Sequence, residues 1–536
     1  MKVRTTLKAC VLALALTTAP YSSIHAATPA DQMIIGMSMN NLLSLDPAAA
    51  TGLDVATIGA NLYDMLVELD AKDPSKLVPA LAESWKISDD GRTITFVIRK
   101  GTKFQSGNPL TAEDVAWSLQ RVLKLNMALA TTWKSYGFTA QNAEKFLRAP
   151  DAQTFVMELP EPTDPKLVLY TLGASPSAFI LDRKKVMEND KNGDLGNAWL
   201  TTHAAGSGPF KLDDWRAKDS LLMSRFDGYW RGAPKLRRII MRHMTESQSM
   251  RLMIERGDID LAVGMSVSDI QALKGNKDVA IESVKRGTIY YVAVSMKDPK
   301  FADKRVRQAI RSLIDYEGIN KTIMPHYGIL HQRPVQSGLS ATLSNPGHKL
   351  DVPSAKKLLA EAGHPNGFKT TIRVLSDPPF MNIATNLQST LAQAGIEASV
   401  ISGTGNQIYG AMRDRSFEII VGRGGGGAEP HPHSSLRALA YNPDNRDEAK
   451  LTNFQGWRTS FFSPELNQVI EKAEVEKDPI KQITLYQDAQ KIYDQQVGAI
   501  MPISQMIETE VKRKDVRNLI SHPSATTRFR EVYKQR

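Results

Sequence analysis

Residues 81–107 decide the fold, and they read LAESWKISDDGRTITFVIRKGTKFQSG. Two runs of strand character, 85–88 and 93–98, flank the pair Asp90-Gly91, which is typical of a tight turn with positive φ angles. Ile94, Phe96 and Ile98 alternate with other residues and therefore share one face. The stretch predicts a β-hairpin.

The segments downstream alternate between helix and strand character. Thr111 and Asp114 predict the N-cap and capping-box positions of a helix that runs to residue 123. Further helices are expected at 303–313, at 353–362 with Gly363 as its stop, and at 386–394, and strands at 397–401 and 417–421. The second of these strands leads directly into a glycine-rich loop. The pattern predicts a mixed α/β chain with two or more lobes.

The N-terminus carries an export signal. Lys2, Arg4 and Lys8 precede a short apolar run, and small residues follow, so we expect a signal peptide cleaved after Ala26 or Ala27. The only cysteine, Cys10, lies inside it, so the mature chain can form no internal disulfide. Export without disulfides is typical of a bacterial periplasm. No later segment approaches the roughly 20 apolar residues that a membrane helix needs.

Length and composition exclude few folds but several functions. The chain has 536 residues, of which 42% are hydrophobic and 23% charged, so we expect two or three ordinary globular domains. The formal net charge is +10, but basic and acidic residues are interleaved. No basic block with aromatic residues is present, and nucleic-acid binding is not expected.

Common catalytic motifs are missing from the sequence. It contains no phosphate-binding loop, no His-Glu-x-x-His zinc helix and no Gly-x-Ser-x-Gly nucleophile elbow. We therefore expect a protein that is not an enzyme and has no cofactor. An exported hydrolase with a dispersed catalytic triad stays open as an alternative, because triads need not be local in sequence.

The hairpin stretch and the helix start after it closely resemble the peptide and nickel group of bacterial extracellular solute-binding proteins, which serve ATP-binding-cassette (ABC) importers. Further matching stretches follow in the expected order across the mature chain: 45–47, 206–210, 226–235, 257–260, 303–310 and 355–363. The resemblance implies an α/β, two-lobed periplasmic binding protein with an extra inserted domain. Lobe I would comprise 27–72, 201–290 and 503–536, the inserted domain 73–200, and lobe II 291–502.

The same resemblance implies a function and partners. The protein would be a monomeric periplasmic receptor that binds peptides or peptide-like solutes and delivers them to inner-membrane permease subunits, which cytosolic ATPases drive. The alternative is a receptor for a non-peptide solute: an opine, a nickel chelate, haem or glutathione.

The predicted site departs from the dipeptide-binding pattern. In such relatives the strand matching 417–421 is followed by Gly-Trp and, three residues after the Trp, by an aspartate that pairs with the peptide ammonium. Here Arg423 takes the Trp position and Gly426 the Asp position, so this clamp is missing. Arg423 with Gly424, Gly425 and Gly426 is predicted to hold an anionic end of the solute, since a guanidinium and successive backbone N–H groups suit an anion. A flexible loop with Arg423 in solvent is the alternative.

Three nearby features complete the predicted site. Glu429 could supply the missing carboxylate from a shifted position. Trp457 could form a pocket wall by stacking on the solute, although a buried core tryptophan fits equally well. His431 and His433 are residue types that suit nickel, copper or zinc, but their spacing around a proline is not that of a helical ligand pair, and no metal site is predicted.

Overall fold

The computed structural model describes residues 28–40, 42–49, 52–425 and 429–535. The signal peptide, its cleavage site and Gly426 lie outside the described residues. None of the helices in the described ranges is both long and apolar enough to cross a membrane.

The strands are short except for two. In chain order they are β1 Gln32–Met37, β2 Val67–Leu69, β3 Leu77–Pro79, β4 Ala82–Ile87, β5 Thr93–Ile98, β6 Leu147–Arg148, β7 Thr154–Glu158, β8 Phe210–Arg216, β9 Ser220–Arg225, β10 Arg238–His243, β11 Leu261–Val263, β12 Val279–Val294, β13 Gly328–Leu330, β14 Lys369–Leu375, β15 Glu397–Gly403, β16 Ile419–Gly424, β17 Ile500–Arg513, β18 Val516–Arg517 and β19 Tyr533–Lys534.

The α-helices cover the sheets. In chain order they are α1 Leu53–Leu62, α2 Ala112–Leu125, α3 Ala130–Lys134, α4 Ala143–Phe146, α5 Pro165–Ala174, α6 Arg183–Met187, α7 Asn197–Leu200, α8 Ser247–Arg256, α9 Val267–Ala272, α10 Pro299–Ala302, α11 Lys304–Ser312, α12 Tyr316–Thr322, α13 Val352–Glu361, α14 Phe380–Gln393, α15 Gly405–Arg413, α16 Pro432–Leu439, α17 Gln455–Arg458, α18 Pro464–Val475 and α19 Pro479–Gln495.

Two long antiparallel strands, β12 and β17, join the two ends of the main sheet. Its order is β15-β14-β16-β12-β17-β11-β1-β10-β9-β8, with β13 also on β17. β12 pairs with β16 only through its C-terminal part, from Ile289 on, and β17 pairs with β11 near its own C-terminus. The β12–β17 register shifts between Lys285 and Ile289, where the strands pass from one half of the sheet to the other. We expect a hinge at these two strands, and we call them the hinge strands.

The apolar side chains are buried in several separate cores. One contains buried side chains from Ile289 to Ile503, including Tyr291, Tyr316 and Tyr486. A second, around the four-stranded sheet β4-β5-β7-β6, contains Phe96, Phe155 and Trp133. This second core also includes Leu66 and Val67, so it begins before residue 73. The predicted division into lobe I, inserted domain and lobe II stays a prediction, and we use its names below for these regions.

Several local predictions are confirmed. β4 and β5 form the antiparallel hairpin, with Ile94, Phe96 and Ile98 buried. Of the turn pair, only Gly91 has a positive φ, of 79°. The capping box of Thr111 and Asp114 begins α2.

Two element boundaries were wrong. α14 begins at Phe380 rather than at residue 386, and its apolar face (Phe380, Ile383, Ala384, Leu387) packs in the lobe II core. β16 continues through Arg423 and Gly424, which the sequence had placed in a loop. The tertiary reason is pairing, because Arg423 lies opposite Tyr290 and Gly424 opposite Ile289 on β12.

Candidate functional site

A cavity of about 580 Å³ lies between the lobes beside the hinge strands. Its lining comes from distant parts of the chain: Tyr170 of the inserted domain, Gln505 of β17, Gln336 of lobe II, and Glu429 and His431 after β16. This volume is within the usual range for small-molecule sites, and α/β sheets commonly bind ligands beyond the carboxyl ends of their strands. We call this space the interlobe cavity.

Glu429 is the most unusual residue of this cavity. The residue is half-buried, and the hydroxyl of Thr171 donates a hydrogen bond to its carboxyl group at 3.4 Å. Burial raises the pKa of Glu429, and no cationic side chain among the described residues offsets that effect. A buried carboxylate is costly unless it is paired. Lys285 and Arg286 also line the cavity, but neither is an ion-pair partner of Glu429 among the described residues.

Helix α16 begins directly after Glu429 and His431 and holds both residues in position. Pro432 occupies the first turn, and the His431 side chain accepts a hydrogen bond from the backbone N–H of His433 at 3.2 Å. The His431 ring lies 6.1 Å from the ring of Tyr170 and 5.6 Å from that of Tyr486. Burial lowers the pKa of His431 to about 4, so the ring is neutral at neutral pH.

The two histidines pack as aromatic rings. His433 also lies against Tyr486, and burial holds its pKa well below the usual value. In the described part of the chain, no group of three or more His, Cys, Asp or Glu side chains is arranged to hold a metal ion.

The inserted domain and lobe II touch directly at this site. The side-chain amide of Gln482 donates to Asp164 at 3.0 Å, and the guanidinium of Arg437 donates to the carbonyl of Ser135 at 3.3 Å. With the Thr171–Glu429 bond, these contacts join the two sides of the cleft.

Arg423 lies at the end of β16 but does not line the interlobe cavity. Its backbone N–H donates to the hydroxyl of Tyr409 at 3.0 Å, and its exposed guanidinium lies 5.8 Å from the ring centre of Phe380. Successive strand residues point to opposite faces. The Arg423 side chain therefore projects from one face of the sheet, and position 424 faces the other.

Gly424 and Gly425 permit close packing at the strand end. A Cβ at Gly424 would lie 2.3 Å from the Nε2 atom of Gln455. Gly425 has a φ of 140°, and a Cβ there would lie 3.0 Å from the carbonyl of Gly287 on β12. The structure thus explains these glycines by packing, and their role in anion binding stays a prediction.

Trp457 is placed in the interior of lobe II. Only 4% of its surface is exposed, its indole N–H donates to the carbonyl of Arg446 at 2.9 Å, and the guanidinium of Arg415 lies 4.7 Å from its ring centre. It does not line the interlobe cavity. These surroundings correspond to the buried core tryptophan rather than to a pocket wall.

Sequence reasoning missed most of the cavity lining. Tyr170 and its neighbour Thr171 lie on α5, Gln336 lies in a loop of lobe II and Gln505 lies on β17, and none of them belongs to a local motif. Only the topology brings them to Glu429.

The comparisons with known proteins agree with this architecture. Residues 76–447, more than half of the chain, match the family described as bacterial extracellular solute-binding proteins, family 5. The chain belongs to this family. This family 5 protein is 28% identical over 514 residues to the probable D,D-dipeptide-binding periplasmic protein DdpA of Escherichia coli K12, with 92% of each chain covered. It is 26% identical over 499 residues to the glutathione-binding protein GsiB of E. coli O1:K1 / APEC, with 90% of each covered.

Solved structures share the fold of this family 5 protein. The periplasmic binding protein DppA from Helicobacter pylori, in complex with the peptide STSA, aligns with a TM-score of 0.77 at 22% identity, covering 94% of this chain and 98% of its own. The murein tripeptide-binding protein MppA from E. coli aligns with a TM-score of 0.75 at 21% identity, covering 95% and 99%. The two-lobed α/β fold of solute-binding proteins is therefore confirmed.

Proposed function

We propose that this family 5 protein is the periplasmic receptor of an ABC importer and captures a peptide or peptide-like solute in the interlobe cavity. A cationic group of the solute pairs with Glu429. The loaded receptor then delivers the solute to permease subunits in the inner membrane, without making or breaking a covalent bond.

The observation that carries this proposal is the uncompensated Glu429 carboxyl group in a cavity between two lobes. A solute ammonium would ionise it and form a charge-assisted hydrogen bond in a site largely removed from water. The names of the relatives support a peptide-like solute, because DdpA is called a D,D-dipeptide-binding protein and GsiB a glutathione-binding protein.

The lobe contacts support a closing mechanism. A solute that touches Glu429 and the hinge strands together binds the closed arrangement better than the open one, and it shifts the population toward closure. The permease would then recognise the closed form.

The strand end at 423–425, with Gly426 beyond it, is proposed as the rim of the site. Arg423 stands there as an exposed cation that an acidic part of an arriving solute would meet. Because its side chain is on the other face from the cavity, we propose an outer electrostatic contact for it rather than the main clamp.

Native mass spectrometry of the protein purified from its own host tests the proposal. A ladder of peptide masses that Glu429→Gln abolishes is the expected result. A single defined non-peptide mass would instead favour a specialised receptor for an opine, a chelate, haem or glutathione. Release of a chemically altered product would contradict a pure binding role.

A further inference from the structure

A second cavity, of about 460 Å³, lies between the inserted domain and lobe II. α3 and the loop after it provide Thr131, Lys134 and Ser135 on one side, and α16 provides Arg437 on the other. We call this space the distal chamber. Glu429 lines both the distal chamber and the interlobe cavity, so the two spaces adjoin at this residue.

The distal chamber has a positive lining. Among the described residues around it, the charged ones are Lys134, Arg437 and the shared Glu429. If Glu429 is satisfied by the cation of a solute, the chamber beyond it is left with two positive charges. The hydroxyls of Thr131 and Ser135 add hydrogen-bond donors.

Arg437 is only weakly compensated where it stands. Its guanidinium lies 3.5 Å from the carboxylate of Glu474 and 3.3 Å from the carbonyl of Ser135, whereas charge-assisted N–H···O bonds are usually about 2.7–2.9 Å. Burial raises the pKa of Glu474, which favours its neutral form and weakens the pair further. The ring of Phe454, 5.5 Å from the guanidinium carbon, holds the side chain in position.

Lys134 adds a movable charge at the chamber mouth. It is exposed, and its ammonium donates to the side-chain carbonyl of Asn126 at 2.5 Å. That contact is on the surface, where ion and hydrogen-bond partners exchange with water at little cost. The long side chain can therefore turn toward an anion in the chamber.

We propose that the distal chamber takes the anionic end of an elongated solute whose cationic group pairs with Glu429. This inference rests on the proposed function, since it assumes that a solute occupies the interlobe cavity. The solute class is an extended zwitterion, such as a short peptide with a free carboxylate, that runs past Glu429 under the inserted domain. The anionic end meets Arg437 and Lys134 rather than the outward-facing Arg423.

Calorimetry with alanine peptides and their C-terminal amides tests this proposal. The probes have two or four residues, with an extended reach of roughly 7 and 14 Å. We expect the tetra-alanine acid to bind about tenfold more tightly than its amide, because only the carboxylate forms a charge-assisted hydrogen bond with a guanidinium. The dialanine pair should differ less, because it is too short to reach past Glu429.

Variants locate the preference. Arg437→Gln should remove the acid-over-amide preference of tetra-alanine, and the exposed Lys134→Gln should reduce it even if Arg437→Gln fails to fold. Arg423→Gln tests the alternative contact at the end of β16, and Arg216→Gln, at an exposed arginine on β8 that lines neither cavity, is the matched control that should leave the preference intact.

The outcomes separate this inference from the proposed function. If acid and amide bind equally while Glu429→Gln weakens both, the distal chamber does not take the anionic end, although the proposed function stands. Loss of the preference in Arg423→Gln but not in Lys134→Gln or Arg437→Gln also overturns the chamber. If no peptide probe binds, the proposed peptide-like solute is itself wrong.

Discussion

Glu68 is buried and Glu429 is half-buried, and the surroundings of these two glutamates are opposite. Arg530 donates two hydrogen bonds to Glu68, at 3.1 and 2.9 Å, and nitrogen atoms of Arg528 and Arg231 lie 3.2 and 3.6 Å from it. Although burial alone would raise the pKa of Glu68, these arginines lower it to about 2. Among the residues that the structure describes, Glu429 has no such partner, and burial raises its pKa.

This comparison shows how a charge that stabilises the fold can be distinguished from a charge that is available to bind a solute. Glu68 links β2 to the C-terminal segment through its arginine partners, and it too lines a cavity of about 580 Å³. Glu429 also lines a cavity but has no cationic partner among the described residues, and we propose that a solute supplies one. Burial alone does not distinguish the two, whereas the presence or absence of a countercharge does.

The largest expected effect is that of Glu68→Gln on stability. Removing the carboxylate leaves three arginines without their anion, so we expect a loss of about 3–5 kcal/mol in the free energy of unfolding. Urea denaturation measures it. Glu429→Gln is the matched control and should keep or slightly increase stability. Wild-type stability in Glu68→Gln would show that the network contributes little.

The next effect is that of Glu429→Gln on solute affinity. A charge-assisted hydrogen bond in a buried site is worth about 1.5–3 kcal/mol, so the affinity for an amino-terminated solute should fall roughly 10- to 100-fold. Calorimetry measures it, with the exposed Glu83→Gln as a surface control. An unchanged affinity in Glu429→Gln would show that the Glu429 carboxylate does not bind the solute.

The two glutamates should also respond oppositely to pH. For Glu68, whose pKa is lowered when folded, the stabilisation is present above about pH 4.5 and is lost as the pH falls toward 2. For Glu429, whose pKa is raised, the ionised form that a cation needs grows as the pH rises. Affinity for a cationic solute should therefore increase with pH in the wild type.

A variant separates this response from that of His431. Burial lowers the pKa of His431 to about 4 in the structure, and opening of the lobes would return it toward about 6.5. Acid should therefore favour opening. This effect should persist in any variant that keeps His431 beside Asp164, Lys166 and Tyr170. Small-angle scattering follows that opening. The solute affinity of Glu429→Gln should keep only the part of its pH dependence that comes from His431. An identical pH profile of affinity in the wild type and the variant would show that Glu429 does not titrate in this range.

The smallest effect is that of Trp457→Phe. It removes one hydrogen bond, from the indole N–H to the carbonyl of Arg446, so stability should fall by about 1 kcal/mol. Affinity should not change, because Trp457 does not line the interlobe cavity. A weakened affinity with unchanged stability would restore the pocket-wall interpretation.

Local structure was largely predictable from the sequence. The hairpin at β4–β5 and the capping box of α2 depend on neighbours in the chain, and both were found as predicted. The end of the strand at β16 was not predictable in this way. A glycine-rich run favours a loop, but pairing with Tyr290 and Ile289, far away in sequence, extends the strand through Arg423 and Gly424.

The same distinction between local sequence and tertiary structure applies to the candidate site. Glu429 was found as a candidate because a carboxylate was missing from its expected position. Its lack of a countercharge could not be predicted, since this depends on which side chains of the inserted domain face it. Arg423 was predicted from its residue type, but strand alternation decides where its side chain points.

The amino-acid sequence by itself determined the α/β class, the export signal, the missing catalytic motifs and the family resemblance, because each depends on short-range pattern or composition. Tertiary structure alone decided that Thr171, Tyr170 and Gln336 meet Glu429 at the hinge strands, and that the carboxylate of Glu68 is surrounded by arginines. The physical reason is that an electrostatic environment is set by distance in space and by exclusion of water, and neither can be obtained from spacing along the chain.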